Sequence, residues 1–378
     1  MLDVAVLLCL SAPPDRVSPG FHRLVDSNHR PLLKLLADLR PLPCAVSIPW
    51  GLTERWLSEG YHDCLNLCAE LLRSGQVEFV GTAAYQPILP LLPRPAIERQ
   101  VAYDQSRHRE LFPGWASKGF LPPEMAFGPE LLPILRDAGF GWVAVDDTPY
   151  ACLNGNPPNQ YVPVCADLKV LLRSAMWSQA LVNRARDNGS GKSLARDLVK
   201  GLRDWIGQDQ GYAFLALDSE SFGEHRRGSL GVLADFLTSV GGSGKARLLL
   251  PSSLVESYPA QNDEIPPGSW RTTPEQFWEG EFFAPWQSRY NAAHAHLWDL
   301  TDLAVAAVAK LQQRLDRSLH AGFFWWEEHS NWGGPQGAAA AQSGAMRGLR
   351  TLLDVIAAAA PEDLDRALEL AARLDELT

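Results

Sequence analysis

Leu217-Asp218-Ser219-Glu220-Ser221-Phe222-Gly223-Glu224-His225 closes a short apolar run, residues 212–217, that reads as a buried β-strand. Two carboxylates therefore stand where a strand ends. An earlier segment repeats the pattern: Phe120-Leu121-Pro122-Pro123 leads into Glu124, and a helix-like run follows from Pro129. Acids at the ends of two different strands of one sheet can face one pocket, the arrangement that acid-assisted glycosidic chemistry needs. Most of the 44 Asp and Glu residues must be ordinary solvated surface acids, so the argument rests on position, not on residue type.

Outward from this stretch, apolar runs bounded by breakers recur at residues 4–10, 43–48, 77–81, 119–121, 142–145, 212–217 and 246–249. Helical periodicity lies between them, at 32–39, 54–72, 96–111, 131–138, 193–206 and 230–240. Strands alternating with helices predict an α/β fold with a parallel sheet. Seven strands predict a distorted, closed or nearly closed (β/α)7 barrel over residues 1–255. No G-x-G-x-x-G follows the first strand, which argues against a dinucleotide sheet. Asn188-Gly189-Ser190-Gly191-Lys192-Ser193 lacks the spacing of a phosphate loop. Residues 252–270 are rich in Ser, Pro, Asn and Asp and read as a long loop. Aromatic residues cluster after it through Trp278, Phe282, Phe283 and Trp286, giving a loop-rich aromatic connection over 256–290. From 291 to 378 the pattern predicts a C-terminal helical subdomain, with Pro361 just ahead of the last helix.

Composition narrows the partners. A net charge of −10 and the lack of a Lys/Arg block argue against nucleic acid. No run reaches the about 18 apolar residues of a membrane span. Residues 4–10 have no preceding Lys or Arg and read as a core strand instead of a secretion signal. The six cysteines are scattered, and the Cys64/Cys68 pair has no second pair to complete a metal set. A reducing, cytoplasmic setting without a structural metal is expected. Thirteen tryptophans supply flat faces, most for the core and some for the apolar face of a sugar. No convergent His set marks a metal-dependent deacetylase: His294 and His296, two apart on a helix, would point to different faces.

Three ordered segments resemble glycoside hydrolase family 57, the α-amylase, glucanotransferase and branching-enzyme family. Gly75-Gln76-Val77-Glu78-Phe79-Val80 followed by Tyr85-Gln86-Pro87-Ile88-Leu89-Pro90 is similar to its second conserved region. Phe120-Leu121-Pro122-Pro123-Glu124-Met125-Ala126 resembles the third, and Asp218-Ser219-Glu220-Ser221-Phe222-Gly223 the fourth. The resemblance implies that Glu124 is a nucleophile and Asp218 a general acid/base, 94 positions later, in a retaining, metal-free and cofactor-free reaction on α-glucans. It further implies a seven-stranded distorted barrel with a helical subdomain. Glu78, Tyr85, Gln86, Glu220, His225, Trp286, Trp326 and Ser11 are the expected sugar contacts. Ser11 stands where the family's first strand carries a His, and Gln86 stands in a second His position. The Phe323-Phe324-Trp325-Trp326-Glu327-Glu328-His329 stretch has the aromatic character of the fifth region but follows Ala321-Gly322 where Ser-Asp is usual. These departures leave open another α-glycoside as substrate, or a carbohydrate-binding protein with weakened catalysis on the same scaffold.

Overall fold

The computed structural model describes residues 1–13, 18–207, 210–223, 228–307, 316, 319–320 and 335–375. The strands are β1 (Leu2–Cys9), β2 (Cys44–Ser47), β3 (Val77–Val80), β4 (Gly119–Phe120), β5 (Trp142–Asp146), β6 (Val162–Cys165), β7 (Leu168–Arg173), β8 (Gly211–Asp218), β9 (Ala246–Leu248) and β10 (Ala260–Asn262). Seven of them, β1-β2-β3-β4-β5-β7-β8, run parallel and return to β1. Two joints of the ring are thin. β3 meets β4 through Gly81 and Phe120 just past the strand end, and β7 meets β8 through Arg173 and Phe214. The predicted seven-stranded, nearly closed barrel is therefore present, with one exchange of members. The run at 246–249 forms β9, which pairs only with the first half of β1, and the unforeseen β7 takes the ring position.

β7 was hidden by its turn. It is reached from β6 through Ala166 and Asp167, both with positive φ (47° and 64°), in an antiparallel hairpin that pairs Cys165 with Leu168. A two-residue loop with two positive φ values is normally written Asn-Gly or Asp-Gly, so Ala-Asp gives no turn signal. Similarly, the single helix read over 54–72 is two, Trp50–Ser58 and His62–Ser74, separated at Gly60 (φ 80°).

Alternation along β1 decides which side chains fill the barrel. Leu2, Val4, Val6 and Leu8 face the surrounding helices, while Ala5 and Leu7 join Ala45, Val80, Ala144, Leu171, Phe214 and Ala216 inside. Helix Gly191–Ile206 shows how the outer layer is specified. It buries Leu194, Ala195, Leu198, Val199 and Leu202 on one face. Ser190 caps its start by accepting from the Ser193 amide, and Gly207 (φ 63°) ends it. The segment resembling a phosphate loop is thus a helix cap.

The stretch expected as a loop, 252–270, instead begins inside helix Pro251–Ser257, which closes the N-terminal end of the barrel. Leu254 and Val255 enter the interior core. Ser252 bonds Glu78 of β3 and Trp142 at the start of β5, and the Val255 carbonyl accepts from Lys169 near the start of β7. Tyr258 donates to Asp3 of β1. Beyond the barrel, helices Ala292–Ala307, Pro335–Ala359 and Leu364–Asp375 form the helical C-terminal region. Leu297, Leu300, Leu352, Ile356 and Ala367 share one core with the outward faces of β4, β5 and β7, through Phe120, Val143, Val145, Val170 and Leu172.

The thin β4 strand is a sensitive point. A Cβ on Gly119 would lie 2.0 Å from the Trp142 ring. The Gly119→Ala variant is expected to lose about 3 kcal/mol or more of stability, the upper range for overpacking, read as a lower urea midpoint with an unchanged slope.

Candidate active site

The C-terminal ends of β1, β4, β5, β7 and β8 converge on one mouth. β1 and β8 pair along their whole length, which sets Cys9 directly beside Asp218. Asp218 is exposed, and its carboxylate accepts from the Glu220 amide at 3.0 Å, so it caps the short helical turn 219–221. On β5 and β7, Asp146 and Arg173 stand side by side and are both buried, with Nη1 2.6 Å from the carboxylate. Arg173 Nε also donates to the Ala216 carbonyl of β8, at 2.9 Å.

Glu124 follows β4 through Pro122 and Pro123. Its backbone is left-handed (φ 55°, ψ 17°), and Met125 repeats this at φ 50°. Two successive non-glycine residues there cost on the order of 1–3 kcal/mol each and persist only where the surroundings over-determine them. The surroundings here are a second segment. Phe127 and Gly268 exchange backbone hydrogen bonds at 2.8 and 3.0 Å, and Trp270 Nε1 donates to Glu124 Oε2 at 2.6 Å. Arg271 lies over the Trp270 ring, 4.4 Å from its centroid. Thr272 anchors the segment by donating to the Phe282 carbonyl at 2.6 Å.

Burial raises the Glu124 pKa to about 7; the Trp270 N–H pulls it down, the Asp218 charge pushes it up, and Arg271 pulls it down again. Cys9 lies among the same groups. Burial pushes its thiol up, Asp218 and Glu124 push the same way, and Arg173 opposes them. Glu124, Asp218, Cys9 and Arg173 thus share one electrostatic neighbourhood. Asp147, next to Asp146, is also raised to about 7, by burial first and then by the Asp146 charge.

The expected sugar contacts divide. Gln86, half-buried with positive φ (56°), donates to Thr82 Oγ1 and the Ala83 carbonyl; Thr82 in turn donates to the Leu121 carbonyl, which ties this turn to the strand leading to Glu124. Glu220 and Ser11 are half-buried at the ends of β8 and β1. Glu78 is elsewhere. Its carboxylate accepts from the Ser252 amide (2.9 Å) and hydroxyl (2.5 Å) at the barrel floor, beside Lys118 and Glu256. β3 turns Glu78 and Val80 inward, and Glu78 is the lower of the two. Tyr85 is a core residue, stacked on Tyr103 with its hydroxyl 3.3 Å from Glu54. Trp286 is fully buried in the flank core, its carbonyl accepting from Trp298. Neither ring is a cleft wall. His225 and Trp326 lie outside the described residues. Trp270 and Arg271, by contrast, went unread at the end of a Ser- and Pro-rich stretch. Among the described residues no group of three or more His, Cys, Asp or Glu side chains is arranged to hold a metal ion.

Residues 17–264 match the model of glycosyl hydrolase family 57, well over half of the chain, and the chain belongs to that family. It is 33% identical over 122 residues to an alpha-amylase of Pyrococcus abyssi, covering 32% of this chain and 18% of that protein. The curated relatives it matches are therefore shared over about a fifth of their length. In structure it is similar to the 4-alpha-glucanotransferase from Thermococcus litoralis (TM-score 0.71, 17% identity, 94% of this chain and 59% of that one). It is also similar to the GH57-type branching enzyme from Pyrococcus horikoshii (TM-score 0.69, 16% identity, 99% and 94%).

The raised Glu124 pKa has a stability consequence. Between the ordinary value of 4.5 and about 7 the folded protein holds a proton that the unfolded chain releases. This contribution is complete below the lower value and lost as pH rises through the upper one. Glu124→Gln cannot ionise, so it is expected to unfold later than the parent at pH 8, by on the order of 2 kcal/mol, with the gap closing below pH ~4.5. Denaturation curves at both pH values check this; an equal gap at both would exclude ionisation as its source.

Proposed function

We propose that the protein is a retaining glycoside hydrolase or transglycosidase acting on α-1,4-linked glucans. The observation that carries the reading is the meeting of Glu124 and Asp218 at one barrel mouth, with the Glu124 carboxylate fixed by Trp270. Family membership and the names of the amylase, glucanotransferase and branching-enzyme relatives support the substrate class.

In this reading Glu124 attacks the anomeric carbon while Asp218 protonates the leaving oxygen. Asp218 then takes a proton from water, or from an acceptor sugar, as that oxygen displaces Glu124 from the glycosyl enzyme. Trp270 N–H holds the nucleophile's oxygen and favours its ionised form. Asp218 stands in the open, where a leaving group and then water can reach it. Gln86, Glu220 and Ser11 are the remaining candidates for sugar hydroxyls. Trp270, whose N–H holds Glu124, is the candidate aromatic contact beside the pair. A cytoplasmic setting is part of the proposal, supported by the scattered spacing of the six cysteines. Among the described residues no helix is long and apolar enough to cross a membrane.

A second reading, sugar binding with weakened catalysis, is favoured by Ser11 and Gln86, which stand where the family's pattern has imidazole. Turnover separates the two. Purified protein is expected to cleave or rearrange maltooligosaccharides, with retention in the product. Glu124→Gln should lower kcat at least about 10³-fold while binding is kept, the scale of removing a group that acts only in the transition state. Tight binding with no cleavage, transfer or trapped intermediate would select the second reading.

The pH profile tests the nucleophile assignment. The kcat/KM of the parent should rise with pH through an acid limb near the Glu124 value of about 7. Trp270→Phe removes the N–H that lowers this pKa, so its acid limb should move to higher pH. An acid limb that stays in place in this variant would remove Glu124 from the role.

A further inference from the structure

Residues Val25-Asp26-Ser27-Asn28-His29 form a π-helical turn between helices Ser18–Leu24 and Arg30–Asp38. None of the catalytic motifs includes them. A π turn carries one residue more than an α turn and recurs where a site uses it. Here its last residues reach two strand ends at once. Asn28 is fully buried, and its Nδ2 donates to the carbonyls of Ser219 and Phe222, both at 2.5 Å. Its Oδ1 accepts from the Ser219 hydroxyl at 3.0 Å. His29, also fully buried, brings Nε2 to 3.2 Å from the Ser11 carbonyl. The Ser27 carbonyl lies only 2.2 Å from where a Cβ on Gly223 would stand, so the turn after β8 packs backbone against backbone. These are the ends of β1 and β8, the pair whose register sets Cys9 beside Asp218.

We propose that Asn28 is a positioning residue for Asp218, the π turn acting as a clasp on residues 219–223. The catalytic part of this inference rests on the function proposed above; the clasp itself does not. Asp218 caps its own turn by accepting from the Glu220 amide, an exposed bond. The next residue, Ser219, is held at both its carbonyl and its hydroxyl by a side chain 191 positions away. Asn28 touches neither carboxylate in these bonds, so it acts through the backbone. An error of about 1 Å in a proton donor costs up to about 100-fold in rate.

Asn28→Asp, nearly isosteric, removes both donors and sets a negative charge against two carbonyl oxygens. Ser219→Ala removes only the hydroxyl bond and serves if Asn28→Asp does not fold. Each full-length variant is assayed on a maltooligosaccharide and on its nitrophenyl glycoside, whose leaving group needs little protonation. Hydrogen exchange is followed at residues 219–223. For Asn28→Asp, kcat/KM on the maltooligosaccharide, which reports formation of the glycosyl enzyme, should fall at least about 10-fold, and kcat/KM on the nitrophenyl glycoside much less. Ser219→Ala should move the same way by a smaller factor, and both should exchange faster at 219–223. Equal losses on both substrates, or no loss, would overturn the positioning role. If the parent turns over no α-glucan, the functional reading fails, and exchange decides the clasp alone: unchanged protection at 219–223 in both variants would overturn it.

Discussion

The full-length parallel pairing of β1 with β8 is the constraint on which the site depends. It is the longest register in the barrel, from Leu2 opposite Gly211 to Cys9 opposite Asp218. Because side chains alternate, fixing one pair fixes the whole inward set. A slip of one residue by either strand would turn its own end out of the mouth, replacing Cys9 by Leu8 or Asp218 by Leu217. The outward row Leu2, Val4, Val6 and Leu8 resists that slip, since each is fully buried against helices. The acid's position is therefore set by hydrophobic burial on the opposite face of its neighbour strand.

The rest of the ring is less regular, and other devices hold it. β4 has two residues and β7 touches β8 at one pair. At the floor, helix Pro251–Ser257 gathers β1, β3, β5 and β7 through Tyr258, Ser252 and the Val255 carbonyl. Near the mouth, Arg173 spans β5 and β8 by bonding both Asp146 and the Ala216 carbonyl. A buried ion pair gives little net stability, because desolvation offsets its attraction. This one also bridges one of the two thin joints, where Arg173 itself is the paired residue.

The alternation of strands and helices, and the strand ends that carry Glu124 and Asp218, were legible in the sequence because each depends on local order: an apolar run, a proline pair, a breaker. β7 was not, because Ala166-Asp167 forms a tight turn without glycine or asparagine. The Trp270–Glu124 bond joins residues 146 positions apart and leaves no trace in periodicity. Trp286 and Tyr85 were misread for a complementary reason. Composition says that aromatic rings are plentiful, but only packing says whether a ring faces solvent, and both of these fill cores. Glu78 shows the same limit in a strand: alternation gave its inward face but not its height in the barrel.

The cost of the site and its rigidity are two sides of one arrangement. Glu124 and Met125 are both held in the left-handed region, and the Glu124 carboxylate is desolvated next to another acid. Neither condition would survive on a free loop, where the chain would relax and the carboxylate would turn to water. The proline pair before Glu124 removes backbone freedom on one side. The exchanged bonds between Phe127 and Gly268 remove it on the other. The carboxylate is then left with few orientations, and Trp270 N–H occupies one oxygen in the orientation chosen. Arg173, the nearby buried cation, is already committed to Asp146 and the Ala216 carbonyl. Among the described residues, Glu124 is stabilised by the neutral Trp270 donor and by the charge of Arg271. Burial is then the dominant influence, and its pKa stands near 7.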